Sequence, residues 1–214
     1  MLTSRTMTLA AAGILTAGLL TATLLAGAQA AKGTGGTMPM GKMGPATSKM
    51  SKAEKIASAA SSAPAAISGK ATVMDWPAKE GAAPETLRTG TNGWTCFPDM
   101  PETKGNDPMC VDETWMQWID AYMSHKAPAI TRVGIGYMTA PGGGWASNTD
   151  PYAMTEAPDN HWGLHPPHLM ILVPDTKSLS GISTDPANGG PYVMYAGTPY
   201  AHIMAPTGGA TMHH

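Results

Sequence analysis

Cysteine is scarce in this sequence, which contains only Cys96 and Cys110 among 214 residues. Their spacing is not the Cys-x-x-Cys of thiol–disulfide enzymes, which argues against a redox-active pair. In an oxidising compartment two such cysteines usually pair, and the intervening segment is rich in turn-forming residues. Closing a loop of about 15 residues contributes on the order of 3 kcal/mol to stability. We therefore predict a structural disulfide between Cys96 and Cys110.

Charged side chains are also few, and they are unevenly distributed. Residues 31–70 hold six lysines and one glutamate, whereas residues 71–214 hold six basic and fourteen acidic side chains. Nucleic-acid binding depends on clustered Lys and Arg that neutralise phosphates, so the acidic part is a poor candidate for it. We expect a basic arm on an acidic body, with no nucleic-acid partner.

Long apolar runs are absent outside the N-terminus. Residues 9–25 are apolar and uncharged, Arg5 precedes them, and Ala28-Gln29-Ala30 has the small-x-small pattern of a signal peptidase site. A retained anchor is the alternative, but the run is short for a span of about 20 residues. We expect residues 1–30 to be a signal peptide and the mature protein to be periplasmic or secreted, without a retained membrane span.

Aromatic residues are absent before Trp76. Residues 31–70 are dominated by Ala, Gly, Ser, Thr, Lys and Met, and such a segment cannot bury enough surface to offset its ordering entropy. We expect a disordered arm over 31–70, with at most a short helix near 51–60. A single folded domain over 71–207 and a loose tail over 208–214 follow.

Methionine, in contrast, is abundant, with 17 residues. Met38-Pro39-Met40-Gly41-Lys42-Met43 and Met50 lie close together in the arm and resemble the flexible thioether clusters that bind Cu(I). The other interpretation is compositional bias in a tether, because biased segments support only compositional statements. The tail adds Met212-His213-His214.

Residues 112–126 carry the clearest helical pattern. Asp112 can cap the first turn, and Pro128 ends the helix. An aromatic platform for a ligand is one interpretation of its apolar stripe, but such a stripe more often packs on a sheet. We expect the stripe to be core, and it consists of Trp115, Trp118, Ile119 and Tyr122.

Short apolar runs predict several strands. Glycines at 134 and 136 predict a bulge or a close neighbour on one face of their strand. Residues 141–167 contain five prolines and predict a long irregular loop. The predicted fold class is α+β: a small, mainly antiparallel sheet, one amphipathic aromatic-faced helix, long loops and a disulfide. The predicted strands cover 72–76, 94–97, 130–139, 169–173, 191–196 and 199–204.

His-x-Met occurs at two of these strands, with His168 directly before the run 169–173, and this repeated pattern predicts a copper site. Residues i and i+2 of a strand point the same way, so His168 shares a face with Met170, and His202 shares a face with Met204. Imidazole with thioether suits copper. If the strands are neighbours, the four side chains could bind one ion. The opposing interpretation is that the methionines fill the core and the histidines are buried and neutral.

A second metal hypothesis concerns His161, His165 and His168. On a loop these histidines could bind zinc, with Asp159 as a base or fourth ligand, as in a metal-dependent hydrolase. Gly163 and the following prolines argue against the helical His-x₃-His form, and an exposed polar loop is the simpler interpretation.

Other catalytic patterns are missing. The sequence has no Gly-x-Ser-x-Gly elbow, and Gly142-Gly143-Gly144 is not followed by the Lys-Ser/Thr of a phosphate loop. Trp145 and Trp162 in the long loop leave a carbohydrate- or peptide-binding module open, although they could equally fill the core. We favour a non-enzymatic binding protein with copper as the first ligand to test.

Several motifs in residues 71–206 together resemble another group of proteins. They are Gly-Thr-Asn-Gly-Trp-Thr-Cys (90–96), Asp-Pro-Met-Cys (107–110), Ser-Asn-Thr-Asp-Pro (147–151), Pro-His-Leu-Met-Ile-Leu-Val-Pro-Asp (167–175) and Gly-Gly-Pro-Tyr-Val-Met-Tyr through Tyr-Ala-His-Ile-Met (189–204). In these motifs the chain resembles an uncharacterised group of exported bacterial proteins. The resemblance implies an exported single-domain protein and brings no activity and no functional residue.

Expression with the full N-terminus in a bacterial host tests the export prediction. The protein recovered outside the cytoplasm should begin at Ala31, because Ala28 and Ala30 supply the small residues that signal peptidase requires. N-terminal sequencing or intact mass measures this. An Ala30→Lys variant should remain uncleaved, and recovery of the wild type with Met1 intact in a membrane fraction would instead indicate a retained anchor.

Overall fold

Two β-sheets frame the domain in the computed structural model, which describes residues 50–79, 82–100 and 103–208. The predicted signal peptide, the methionine cluster at 38–43 and the residues 212–214 lie outside this part of the chain. The strands are β1 (Thr72–Met74), β2 (Thr86–Arg88), β3 (Thr95–Phe97), β4 (Gly105–Asn106), β5 (Met109–Val111), β6 (Gly134–Met138), β7 (Gly143–Ser147), β8 (Trp162–His165), β9 (His168–Leu172), β10 (Tyr192–Met194) and β11 (His202–Pro206). The helices are α1 (Lys52–Ser61), α2 (Ala65–Ser68) and α3 (Glu113–Met123), with short 3-10 helices at Thr176–Leu179 and Pro186–Asn188.

The larger sheet has eight strands in the order β10-β11-β9-β6-β5-β3-β1-β2, and the smaller has three in the order β4-β7-β8. Neighbouring strands are antiparallel except β1 and β3, which are parallel. The mixed α and β character and the mainly antiparallel pairing are as predicted, but the main sheet is larger. Strands of three residues such as β2 and β5 are too short to show a clear period in the sequence, and they are stabilised by their neighbours.

Helix α3 lies where the aromatic stripe predicts. The Asp112 side chain accepts a hydrogen bond from the Trp115 N–H at 2.9 Å and caps the first turn. Its second carboxylate oxygen accepts the Ile135 N–H at 2.7 Å, which ties the start of the helix to β6. Trp115 and Trp118 are buried against the sheet. The predicted role of the stripe as core is therefore confirmed.

The glycines of β6 allow α3 to approach the sheet closely, which confirms the predicted close neighbour. A Cβ atom at Gly134 would lie 3.0 Å from Cβ and Cγ2 of Thr114 and 3.1 Å from Cδ1 of Leu172. One at Gly136 would lie 2.7 Å from the Met170 methyl. The helix therefore packs directly on backbone, and a larger residue in β6 would move it outward.

Helices α1 and α2 cover the opposite face of the sheet, so residues 52–68 belong to the folded domain rather than to a disordered arm. Ser51 and Glu54 form a capping box that starts α1, and Lys55 forms an ion pair with Asp75 at the end of β1. Ala59 is completely buried. Because alanine is small, α1 can pack closely on the sheet, and a segment without aromatic residues can therefore still join the folded domain.

The predicted disulfide is present. Cys96 on β3 and Cys110 on β5 are directly opposite each other across the antiparallel pair, and their Sγ atoms are bonded. Both cysteines are fully buried in the apolar cluster beneath α1. Among the described residues, no helix has the length and apolar character needed to cross a membrane.

The segment predicted as a long irregular loop is partly ordered. β7 and β8 pair along their lengths and form most of the smaller sheet within residues 141–167. The glycines and prolines in this segment interrupt the alternation of apolar and polar residues, so the sequence pattern does not predict these strands. Trp145 and Trp162 are therefore strand residues and not loop residues.

Substitution of Gly134 tests the close contact between α3 and β6. Gly134→Ala should destabilise the fold by about 1–3 kcal/mol, because the added methyl enters a filled space between Thr114 and Leu172. Urea unfolding measures the change. Gly163→Ala on β8 is the matched control, since its new Cβ atom would have no neighbour within 4 Å. Equal effects of the two substitutions would contradict the proposed packing.

Candidate functional site

The two His-x-Met strands are neighbours, as the copper hypothesis required. β9 and β11 are antiparallel, and Met170 lies directly opposite Met204. His168, Met170, His202 and Met204 are each at most 6% exposed. Because side chains alternate between faces along a strand, all four point to the core face that α3 covers.

The register, however, separates the two histidines. His168 lies opposite Pro206, whereas His202 lies beyond the Met170–Met204 pair at the other end of the ladder. From the strand rise and spacing, their Cα atoms are about 14 Å apart. Their Nδ1 atoms are held by the carbonyls of Pro166 and Tyr200, which lie at opposite ends of the two strands. Two nitrogens on one ion must be within about 4 Å of each other. The predicted single site with all four ligands is therefore not formed.

His168 has one committed and one free ring nitrogen. Its Nδ1 lies 2.6 Å from the Pro166 carbonyl oxygen, which can only accept, so Nδ1 carries the proton and donates. Burial lowers the pKa of His168 to about 3, and the ring is therefore neutral. Its Nε2 is buried and has no hydrogen-bond partner in the described part of the chain. An unsatisfied buried acceptor of this kind costs about 1–3 kcal/mol.

Three methionines share the core face around His168. Met138 on β6 is its direct cross-strand partner, Met170 is two residues further along β9, and Met204 is diagonal to it on β11. Met170 and Met204 belong to the main apolar cluster of the core, and Met138 is partly buried and packs against it. Directly opposite residues have Cβ atoms about 5 Å apart, and diagonal ones about 7–8 Å. The imidazole with the free lone pair is thus flanked by thioether side chains.

Met138 was missed in the sequence. It lies at the end of a strand in which Val133, Ile135 and Tyr137 form the more apolar face in the sequence. Met138 lies on the other face of that strand. Only the pairing of Met138 with His168 reveals its position. Strand alternation could have revealed this position, because Gly134, Gly136 and Met138 lie on the same face of the strand.

His202 has aromatic surroundings. Its ring makes edge-to-face contacts with Trp115, Trp118 and Tyr195, with centroids 5.1–5.7 Å apart. Its Nδ1 donates to the Tyr200 carbonyl at 3.0 Å. Burial lowers its pKa to about 4, so this ring is also neutral. Packing accounts for His202 in the way that the core interpretation of these histidines predicted.

The predicted zinc ligands are not brought together. His165 has both nitrogens engaged: Nδ1 is 2.6 Å from the Tyr192 hydroxyl and Nε2 is 3.3 Å from the Ala146 carbonyl oxygen. His161 is exposed on the turn before β8 and has a φ of 44°. Within residues 50–79, 82–100 and 103–208, no three His, Cys, Asp or Glu side chains are grouped so that they could hold a metal ion. The geometry gives no support to the hydrolase alternative with Asp159.

A pair of carboxyl groups between β3 and β5 was also missed in the sequence. Asp107 accepts hydrogen bonds from the Met100 N–H at 3.3 Å and the Thr103 hydroxyl at 2.9 Å, and its own N–H donates to Asp99 at 2.7 Å. Burial, with a side-chain hydrogen bond to Asp99, raises the pKa of Asp107 to about 7. Asp107 therefore keeps its proton until the pH approaches neutrality.

Comparisons with protein-family models, with curated proteins and with solved structures find no significant match to this chain. The resemblance to a group of exported bacterial proteins stays a prediction.

Substitution of Asp107 tests the carboxyl pair. The pKa of Asp107 is raised from 3.8 to about 7, so its stabilising contribution is complete below pH 4 and is lost as the pH rises through 7. Asp107→Asn is neutral at every pH. Its free energy of unfolding should therefore increase relative to that of the wild type as the pH rises from 5 to 8, by up to about 1.4 kcal/mol per pH unit. Urea unfolding at both pH values measures this, with the exposed Asp159→Asn as control. A difference between Asp107→Asn and wild type that does not change with pH would contradict it.

Proposed function

We propose that this chain is an exported, non-enzymatic binding protein whose folded domain binds one Cu(I) ion at His168. The observation that carries the proposal is the buried, unpartnered Nε2 of His168. Metal-binding histidines characteristically donate their other ring N–H to a carbonyl or carboxylate, and the Nδ1–H of His168 donates to Pro166. The tautomer and the orientation of the ring are thus already set for a ligand at Nε2.

The flanking side chains indicate which metal would bind. Met138, Met170 and Met204 offer thioether sulfur, a soft donor that suits Cu(I). Zn²⁺ and Cu(II) favour additional imidazoles, carboxylates or thiolates. Among the described residues, His168 belongs to no group of three His, Cys, Asp or Glu side chains that could hold a metal ion. The donor set therefore selects for the reduced form of copper.

Charge supports the same choice. The imidazole and the thioethers are neutral, and the site is buried in an apolar cluster. The cost of moving an ion from water into a low-dielectric interior rises with the square of its charge. A monovalent ion is accordingly much less costly to bury here than a divalent one.

Anaerobic titration of the mature protein with Cu(I) against a chromophoric Cu(I) chelator tests the proposal. One equivalent should bind to the domain, and His168→Ala should weaken this binding at least about a hundredfold by removing the imidazole donor. Met138→Leu should weaken it about tenfold, because it removes one sulfur at nearly constant volume.

Two controls separate this site from others in the chain. His125→Ala removes an exposed imidazole remote in sequence from both strands and should leave Cu(I) affinity unchanged. A full-length variant with serine at Met38, Met40, Met43 and Met50 removes any binding by the arm. Equal Cu(I) affinity in wild type, His168→Ala and Met138→Leu, or loss of all binding in the arm variant, would reject the folded site.

A further inference from the structure

The smaller sheet carries a row of side chains that the proposed copper site does not use. Gly105 on β4 pairs with Gly144 on β7, which places Lys104, the residue before β4, opposite Trp145. Trp145 in turn pairs with Leu164 on β8. The Lys104 ammonium lies 5.1 Å from the centroid of the Trp145 ring. Lysine, tryptophan and leucine are therefore neighbours across three strands.

A second tryptophan lies on the same face. Trp162 pairs with Ser147 and is two residues from Leu164, so it is diagonal to Trp145 at about 7–8 Å. We call Lys104, Trp145, Trp162 and Leu164 the tryptophan face. Its indole rings are only half-buried.

The tryptophan face points away from the core. The alternate residues of the same strands, Ala146 and His165, face inward, where Ala146 packs on the main apolar cluster and His165 bonds to Tyr192. Leu164 is 46% exposed. None of the three apolar clusters formed by the described residues includes Trp145, Trp162 or Leu164. Nor does either indole stack on another aromatic ring in this part of the chain.

From this arrangement we infer that the tryptophan face binds an acidic polysaccharide. The electron-rich faces of indole rings attract the partly positive C–H groups on the faces of pyranose rings, and two indoles on one flat sheet can contact successive sugars. The Nε1 of Trp162 is buried and has no hydrogen-bond partner among the described residues, so it is not available as a donor to a sugar.

Lys104 specifies the charge of the ligand. The folded domain, residues 50–208, is acidic overall, with nine basic and fifteen acidic side chains, so its net charge repels anions. The ammonium group of Lys104, 5.1 Å from the centroid of the Trp145 ring, is a positive charge on this face of an otherwise acidic domain. A carboxylate on a bound sugar would pair with Lys104, whereas a neutral sugar would rely on the indoles alone. Because the pair is exposed, added salt should weaken it.

Titration of the metal-free mature protein with oligogalacturonate, followed by tryptophan fluorescence and calorimetry, tests this inference. The methyl ester of the same oligomer is the uncharged control, and polyglutamate of equal charge is the control without sugar rings. Wild type should bind oligogalacturonate at least about tenfold more tightly than either control at low salt. No binding of oligogalacturonate, or equal binding of polyglutamate, would overturn the inference.

Variants assign the contributions of ring and charge. Trp145→Ala should lower affinity for both sugar oligomers at least about tenfold, whereas Val133→Ala, a 55% exposed apolar residue on another segment, should change neither. Lys104→Met should reduce binding of the acid to the level of the ester and remove its salt dependence. If Trp145→Ala does not fold, Leu164→Asp replaces it, since this exposed position tolerates a charge that should repel the acid but spare the ester. Wild-type affinity for the acid in Lys104→Met and Leu164→Asp would reject the assignment.

Discussion

The antiparallel hydrogen bonding of β9 between β6 and β11 is the constraint on which the rest of the structure depends. It determines which residues share the core face and which residues stand beside each other. Through it Met138 and Met170 flank His168, and Met204 lies diagonal to it. The same ladder brings the glycines of β6 beneath α3, so that the helix covers this face closely. The candidate site and the main core are therefore consequences of one register.

His168 and His202 show how strongly the neighbouring strands decide the chemistry of a residue. Both are buried on the same face, both are neutral, and both donate Nδ1–H to the carbonyl of the residue two positions earlier. His168 meets thioether side chains and keeps a free lone pair, whereas His202 is enclosed by Trp115 and Trp118. Local sequence, His-x-Met in both cases, does not distinguish them.

Much of the fold could be predicted from local pattern. The stripe of α3, its Asp112 cap, the paired cysteines and the apolar run of β9 each have a physical cause within a few residues. The short helix near 51–60 agrees with α1, but its packing on the sheet and the pairing of β7 with β8 could not be predicted. Alanine and glycine become informative only when a neighbouring element approaches them. The two His-x-Met strands are adjacent and their side chains share a face, but their register could not be inferred from the sequence.

The sequence by itself determined the placement of α3 and the parity of each His-x-Met pair, since these follow from helical and strand periods. It also determined the soft, uncharged character of the donors, because His and Met retain their chemistry in any fold. Only the tertiary structure decided that His168 and His202 are apart, that Met138 joins the first of them, and that Lys104, Trp145 and Leu164 form one row. The reason is that strand register arises from contacts between residues distant in the chain, and a shift of one position would turn every side chain to the other face.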